Sequence, residues 1–249
     1  KQTSSGSRRL DSFWAVENPT EDLSLSETEV ADIQHHFSSP FILSREEATK
    51  SAVLNSELQG RSCIHFACHG LFDAERPLRS HLRLAGESKL TLGDIFELPL
   101  ETGRLTVLSA CESGLTDIED LTDEYVGLPS GFLFAGSQAV LSSLWPVSDV
   151  STALLMMRFY EEAASGQADG EQHQEDSPRS LPKALHSAQQ WLRRITRRSL
   201  FRWIDSRTHV SKKKREALKM GLPVPRQGKE PNRPFSNPYY WAGFRIVGC

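Results

Sequence analysis

S-C-I-H-F-A-C-H-G at positions 62–70 and R-L-T-V-L-S-A-C-E-S-G at positions 104–114 share one layout. A short apolar run leads to a reactive side chain, His69 in the first and Cys111 in the second, and a glycine turn follows at Gly70 or Gly114. Apolar, β-branched runs closed by turn residues, here Cys63 to Ala67 and Leu105 to Ala110, predict buried strands of a mostly parallel sheet. His69 and Cys111 then lie at strand carboxyl ends, the edge where open α/β sheets hold ligands. Two adjacent strands would bring an imidazole and a thiol from distant sequence positions to one crevice.

Working outward, Ser12 to Val16 predicts a first strand, Asn18-Pro19-Thr20 a turn, and Glu27 to His36 a helix. Ser44 with Glu47 three residues on has the capping-box spacing, which places a second helix from Ser44 to about Leu58, ended by Gly60. The alternation His81-Leu82-Arg83-Leu84 suggests a small hairpin, and Thr91 to about Leu98 a short helix. After an acidic loop from Asp117 to Glu124, Gly127 to Ala135 reads as a helix and Ala139 to Trp145 as another buried strand that Pro146 ends. Asp149 or Ser151 can cap the apolar helix that continues to about Ala164. Residues 165–180 carry almost no large apolar side chain and read as a polar linker. Leu185, Ala188, Trp191, Leu192 and Ile195 share one face of a helix over Leu181 to Ile195. Between Arg193 and Arg233 the basic residues far outnumber Asp205, Glu216 and Glu230, so residues of about 196–234 read as a basic, solvated insertion. Gly221 to Pro238 is proline-rich and reads as irregular, and Tyr239 to Val247 suits a last strand.

A chain of 249 residues, 38% hydrophobic, can bury a substantial core, and we read it as one domain over 11–249 with 1–10 as the linker remnant of a longer chain. The net charge of −3 argues against wholesale nucleic-acid binding and leaves the basic insertion as the electrostatic route to it. No apolar stretch approaches the roughly 20 residues that span a bilayer, so no membrane partner is expected. Cys63, Cys68, Cys111 and Cys249 show neither C-x-x-C spacing nor a disulfide pattern, which points to a reducing, cytoplasmic compartment.

A thiol is a strong nucleophile as its thiolate, so Cys111 needs a proton acceptor, and His69 can take that proton and later give it to a leaving amine. Amide hydrolysis also needs donors for the developing oxyanion. The Gly70 amide, with no Cβ to obstruct a substrate, and the Cys111 amide are the candidates. No cofactor is required by this chemistry.

H-F-A-C-H-G (65–70), L-S-A-C-E-S-G (108–114), G-L-P-S-G-F-L-F-A-G (127–136), V-L-S-S-L-W-P-V-S-D (140–149) and P-Y-Y-W-A-G-F (238–244) resemble, in this order, the CHAT domain. That domain is a caspase-like and separase-like group of cysteine peptidases, often attached to tetratricopeptide repeats. The resemblance implies an α/β, caspase-like three-layer sandwich with a mostly parallel central sheet flanked by helices. It also implies a His69–Cys111 dyad assisted by Gly70, a protein substrate, and an upstream sensor or repeat region as partner. Asp149 matches the position at which separase-like relatives place an acidic residue for a basic substrate side chain. A carboxylate there favours arginine through paired, charge-assisted hydrogen bonds, so cleavage after Arg, with Lys second, is the implied specificity. Ser143, Leu144 and Trp145 join Asp149 as substrate-binding positions, with the strand Leu141 to Trp145 offering an edge to an extended peptide.

Plainer readings stand beside these. A cysteine at a strand end is commonly an inert buried thiol, Asp149 serves equally as a helix cap, and Asp73 and Glu112 read as turn residues. A metal site joining Cys63, His65, Cys68 and His69 is disfavoured, because alternating strand positions split its ligands across two faces. The fold could also act as a non-catalytic scaffold, or the thiol could serve a different acyl transfer such as glutamine hydrolysis. Arg197-Arg198 and Lys212 to Arg215 are places where an Arg-preferring peptidase could cut itself.

Overall fold

The computed structural model describes residues 10–73, 75–101, 103–109, 127–165, 180–224 and 232–248. The contacts divide the chain into two compact units, one drawing on residues up to Asp22, Phe37–Pro146 and Arg245 onward, the other on Leu23–His36 and Val147–Phe244. Among the described residues the strands in chain order are β1 (Ser12–Glu17), β2 (Ser39–Ser44), β3 (Cys63–Ala67), β4 (Gly70–Leu71), β5 (His81–Arg83), β6 (Lys89–Thr91), β7 (Leu105–Leu108), β8 (Ala139–Ser143) and β9 (Phe244–Gly248). The helices are α1 (Ser26–Ile33), α2 (Lys50–Leu54), α3 (Leu92–Ile95), α4 (Leu128–Phe134), α5 (Asp149–Ser165), α6 (Leu181–Arg194), α7 (Arg197–Asp205) and α8 (Lys212–Met220).

The first unit is built on a six-stranded sheet in the order β2-β1-β3-β7-β8-β9, and β1, β2, β3, β7 and β8 pair in parallel. The expected α/β class with a mostly parallel central sheet is therefore what the chain adopts. β3, β7 and β8 are buried along their whole length, as their near-continuous apolar sequences require. Alternation sorts the side chains. Trp14, Val16, Ile64, Phe66 and Cys68 enter one core cluster with Phe132 and Val140, whereas Phe13 stacks on Phe37 at 4.8 Å and lies 5.9 Å from the buried His65 ring. The buried hydroxyls form a relay, Thr106 Oγ1 donating to Ser137 Oγ and Ser137 Oγ to the Ala139 carbonyl. Gly136, between α4 and β8, has φ of 111°, and a Cβ there would come within 2.8 Å of the Glu101 backbone, so the turn requires glycine.

Three local expectations change. Residues 39–44 form the edge strand β2, which the sequence hid because it carries Pro40; proline is tolerated at a sheet edge, where one side of the strand needs no donor. Ser44 therefore starts no α-helix. Its hydroxyl donates to Glu17 Oε1, a 3₁₀ turn follows at Arg45–Glu47, and Thr49 caps α2 by accepting from the Ala52 amide at 3.1 Å. At the far end, Pro238–Tyr240 forms a 3₁₀ turn and the last strand begins only at Phe244. The small hairpin is a three-stranded antiparallel sheet, β4-β5-β6, and Thr91 and Asp94 close a capping box at α3 that also receives Lys50 Nζ at 2.8 Å.

The second unit is helical. The basic stretch expected to be solvated folds instead as α7 and α8, with Leu200, Ile204, Val210 and Leu218 buried. Thr196 and Ser211 cap the two helices by accepting amide hydrogen bonds, and the apolar spacing gives each helix a face to bury. The proposed self-cleavage positions 197–198 and 212–215 thus occupy helical first turns. Asp32 of α1, 1% exposed, faces Arg207 Nε at 3.2 Å and His209 Nε2 at 2.8 Å, and Arg207 Nη2 donates to Glu161 of α5 at 2.8 Å. Gln189 Nε2 holds the aromatic turn by donating to the Trp241 and Phe244 carbonyls. The expected linker at 165–180 falls mostly on residues 166–179, which lie outside the described residues. No helix among the described residues is long and apolar enough to cross a membrane.

Candidate active site

His69 leaves the sheet two residues past β3, and its place is fixed on both sides. Its carbonyl accepts from the Arg83 amide at 2.8 Å, and Gly70 follows directly into β4 opposite Leu82. That hydrogen bond makes Gly70 and Leu82 a non-hydrogen-bonded antiparallel pair, so the Gly70 amide is directed away from β5. Cys68, one residue earlier, is turned into the core, and burial pushes its thiol up to about 12. The thiol next to the histidine in sequence is thus unsuited to be the nucleophile.

The ring of His69 is 29% exposed, and its Nε2 lies 3.0 Å from Oδ1 of Asp22. Asp22 stands five residues past β1. The Asn18 amide in the intervening turn donates to the Ala67 carbonyl at 3.0 Å, tying the exit of β1 to the exit of β3. Thr20 Oγ1 donates to the same Asp22 oxygen at 2.5 Å. Burial acts to raise the Asp22 pKa, but the bonds from Thr20 and His69, with the charge of His69, outweigh it and hold the carboxyl below the ordinary aspartate range. The chain steps outward from β1 to β2 on one side and through β3 to β7 on the other, so the exits of β1 and β3 flank the topological switch point. His69 and Asp22 meet there.

Asp22 escaped the sequence reading. The signal was available, an acid just past a strand's carboxyl end, but nothing in the sequence aligned it with His69. Asp73 behaves as a turn residue, its Oδ1 accepting from the Arg76 amide at 2.8 Å. Ser143 is buried at the end of β8, Leu144 is 40% exposed and Trp145 is half-buried. The substrate edge expected on Leu141 to Trp145 is corrected over the strand itself, because β8 lies between β7 and β9 and both its sides are paired; only Leu144 and Trp145, beyond it, retain that option. Asp149 is exposed in the first turn of α5. Ser151 Oγ donates to the Ser148 carbonyl at the start of α5. Cys111 and Glu112 lie outside the described residues. Among the described residues no group of three or more His, Cys, Asp or Glu side chains is arranged to hold a metal ion. His65 and Cys68 are in fact on opposite sides of the sheet.

A mostly parallel α/β sheet with a carboxylate-bound histidine at its switch point defines a protein that presents polar chemistry at strand ends. The chain belongs to the CHAT domain family, whose model matches residues 3–249. No curated protein matches it. Solved structures similar to it include the separase–securin complex of Saccharomyces cerevisiae, at 17% identity and a TM-score of 0.47 over 73% of this chain and 11% of that chain. The Arg-specific cysteine proteinase gingipain R gives 9% identity and 0.47 over 73% and 42%. The complex of RgpB pro- and mature domains of Porphyromonas gingivalis gives 12% and 0.48 over 85% and 45%. This chain thus spans about a tenth of the separase chain and under half of the gingipain chains.

Proposed function

We propose that this CHAT domain is a cysteine endopeptidase that cleaves a protein partner with a His69–Cys111 dyad. The observation that carries the reading is the pairing of β3 with β7. Cys63 faces Leu105 and Phe66 faces Leu108, an offset of 42 residues (105 − 63), and His69 and Cys111 are also 42 residues apart (111 − 69). That equal offset supports the reading that the two motifs run alongside each other, since neighbouring strands lie about 4.8 Å apart. In the proposed reaction the Cys111 thiolate attacks the scissile carbonyl carbon after giving its proton to His69. The Gly70 and Cys111 amides hold the oxyanion; as the tetrahedral intermediate collapses, the C–N bond breaks and His69 protonates the amine. Water, deprotonated by His69, then hydrolyses the thioester and regenerates the thiol.

Asp149 is the residue assigned to the side chain before the cut, which makes Arg the preferred and Lys the second choice, with Leu144 and Trp145 as further contacts. An upstream repeat or sensor region is the proposed activating partner, and the compartment proposed is the cytoplasm. The test is intact-mass labelling of the full-length protein by a peptide acyloxymethyl ketone ending in Arg, beside a twin ending in Asp. Labelling of Cys111 by the Arg probe, lost in Cys111→Ala and reduced at least tenfold in Asp149→Ala, is the expected outcome, about 1.4 kcal/mol of recognition. Absence of labelling by either probe, with the partner present, would replace the peptidase with a non-catalytic scaffold.

A further inference from the structure

We infer that the corner between α6 and α7, with the aromatic turn packed against it, is a binding surface for single-stranded nucleic acid. Residues 180–204 carry six Lys and Arg and residues 232–244 carry Arg233, and neither segment holds an Asp or Glu. The fold joins the two segments. The Arg197 amide donates to the Asn232 carbonyl at 2.9 Å, and Gln189 Nε2 donates to the Trp241 and Phe244 carbonyls at 3.0 and 2.9 Å. The Arg193 guanidinium lies 5.5 Å from the centroid of the Trp241 ring. The segment 232–244 thus runs beside α6 and the start of α7, and it sets Arg233 next to the Arg197–Arg198 turn. Arg193, Arg194, Arg198 and Arg233 are exposed, so a chain whose net charge is −3 concentrates positive charge here.

Helix electrostatics accounts for only part of this charge. Arg193 and Arg194 close the last turn of α6, where the helix dipole favours cations, but Arg197 and Arg198 open α7, whose first turn has no acid to offset them. Glu161, which accepts from the nearby Trp203 indole, is already held by Arg158 and Arg207. The corner therefore carries cations that its own elements do not neutralise. Two features choose the class of anion. The four exposed cations at the corner are arginines, whose planar forks match phosphate oxygens and stack on ring faces. Rings stand among them: Tyr239 is 47% exposed, with its ring centroid 5.4 Å from that of Tyr240, and the half-buried Trp241 lies against Arg193. Cations that follow a phosphate backbone beside aromatic faces on which bases stack make a single-strand site, whereas an acidic peptide calls for the charge alone.

The experiment is fluorescence anisotropy of a labelled single-stranded RNA of about 20 nucleotides with the full-length protein, repeated across a salt series. One variant combines Arg194→Gln, Arg198→Gln and Arg233→Gln, which removes three exposed cations and leaves the core intact. Tyr239→Ala removes the exposed ring, and a matched control combines Lys212→Gln with Lys213→Gln on α8. At about 100 mM salt the triple variant is expected to bind at least tenfold more weakly, with a salt slope smaller by about two, because each single-strand phosphate contact contributes about 0.7. Tyr239→Ala is expected to weaken RNA binding about fivefold or more while leaving a labelled poly-Glu peptide unaffected, and the lysine control to keep the wild-type affinity within about twofold. No binding of the strand by wild type at about 50 mM salt overturns the inference. Equal weakening by the lysine control also overturns it, since binding would then follow total charge. A poly-Glu peptide bound as tightly as the RNA, with no effect of Tyr239→Ala on the RNA, would replace the nucleic acid with an acidic protein partner. Photo-crosslinking of the RNA to wild type, read by peptide mass mapping, is independent of how the variants fold: cross-links are expected within 191–204 and 232–241, and cross-links found only elsewhere overturn the inference.

Discussion

Cys68 and His69 are neighbours in the chain with opposite environments. Strand alternation carries Cys68 into the cluster of Ile64 and Phe66, and the exit from β3 frees the next residue to meet Asp22. The sequence put His69 just past a strand, as the structure does; the burial that pushes Cys68 up to about 12 is a property of the packed core. At pH 8 the Cys68 thiol is therefore protonated and shielded, and so is unreactive in the native state. Timed alkylation with peptide mapping should find Cys68 unmodified until denaturant is added. Modification of Cys68 in the folded protein at the rate of a free thiol would contradict this account of the site.

At the scale of the element, the S-x-x-E spacing at Ser44 to Glu47 competed with a strand. The spacing is local, whereas the strand 39–44 gains its stability from six residues of register on β1, which no local pattern reveals. The helix cap moved to Thr49 as a result. Thr49→Ala should thus cost about 1 kcal/mol in urea unfolding, the usual value of an N-cap hydroxyl. Ser44→Ala, which removes only the bond to Glu17 at the edge, should cost less than half of that. The reverse order would mean that Ser44 is the true cap. Strands β3, β7 and β8 and helices α4 and α6 were legible because apolar runs and stripes report burial directly.

For the molecule as a whole, the helical unit depends on a polar network that crosses long sequence distances, from Asp32 through Arg207 to Glu161. Arg207, 8% exposed, lies over the Trp203 ring at 3.4 Å to its centroid. Arg207→Ala would leave Asp32 buried with His209 as its one remaining side-chain hydrogen-bond partner among the described residues, and a loss of about 3 kcal/mol or more is expected in unfolding followed by tryptophan fluorescence. A change under 1 kcal/mol would refute the network's role. Burial acts to raise the Glu161 pKa, but Arg207 and Arg158 lower it further, so its folded value lies below the ordinary one. Its contribution is therefore complete above about pH 4.3 and is lost as pH falls through the folded value. The drop in urea midpoint between pH 5 and 3 should be smaller in Arg207→Ala than in wild type. By itself the sequence determined the α/β class, the family and the placing of His69 at a strand exit, because side-chain burial is written in local periodicity. Only tertiary structure decided that the basic stretch is packed helix, that β8 is interior, and that Asp22 meets His69. Those outcomes depend on strand order and on contacts far apart in sequence, 46 positions for Glu161 and Arg207 and 47 for Asp22 and His69, which no local pattern encodes.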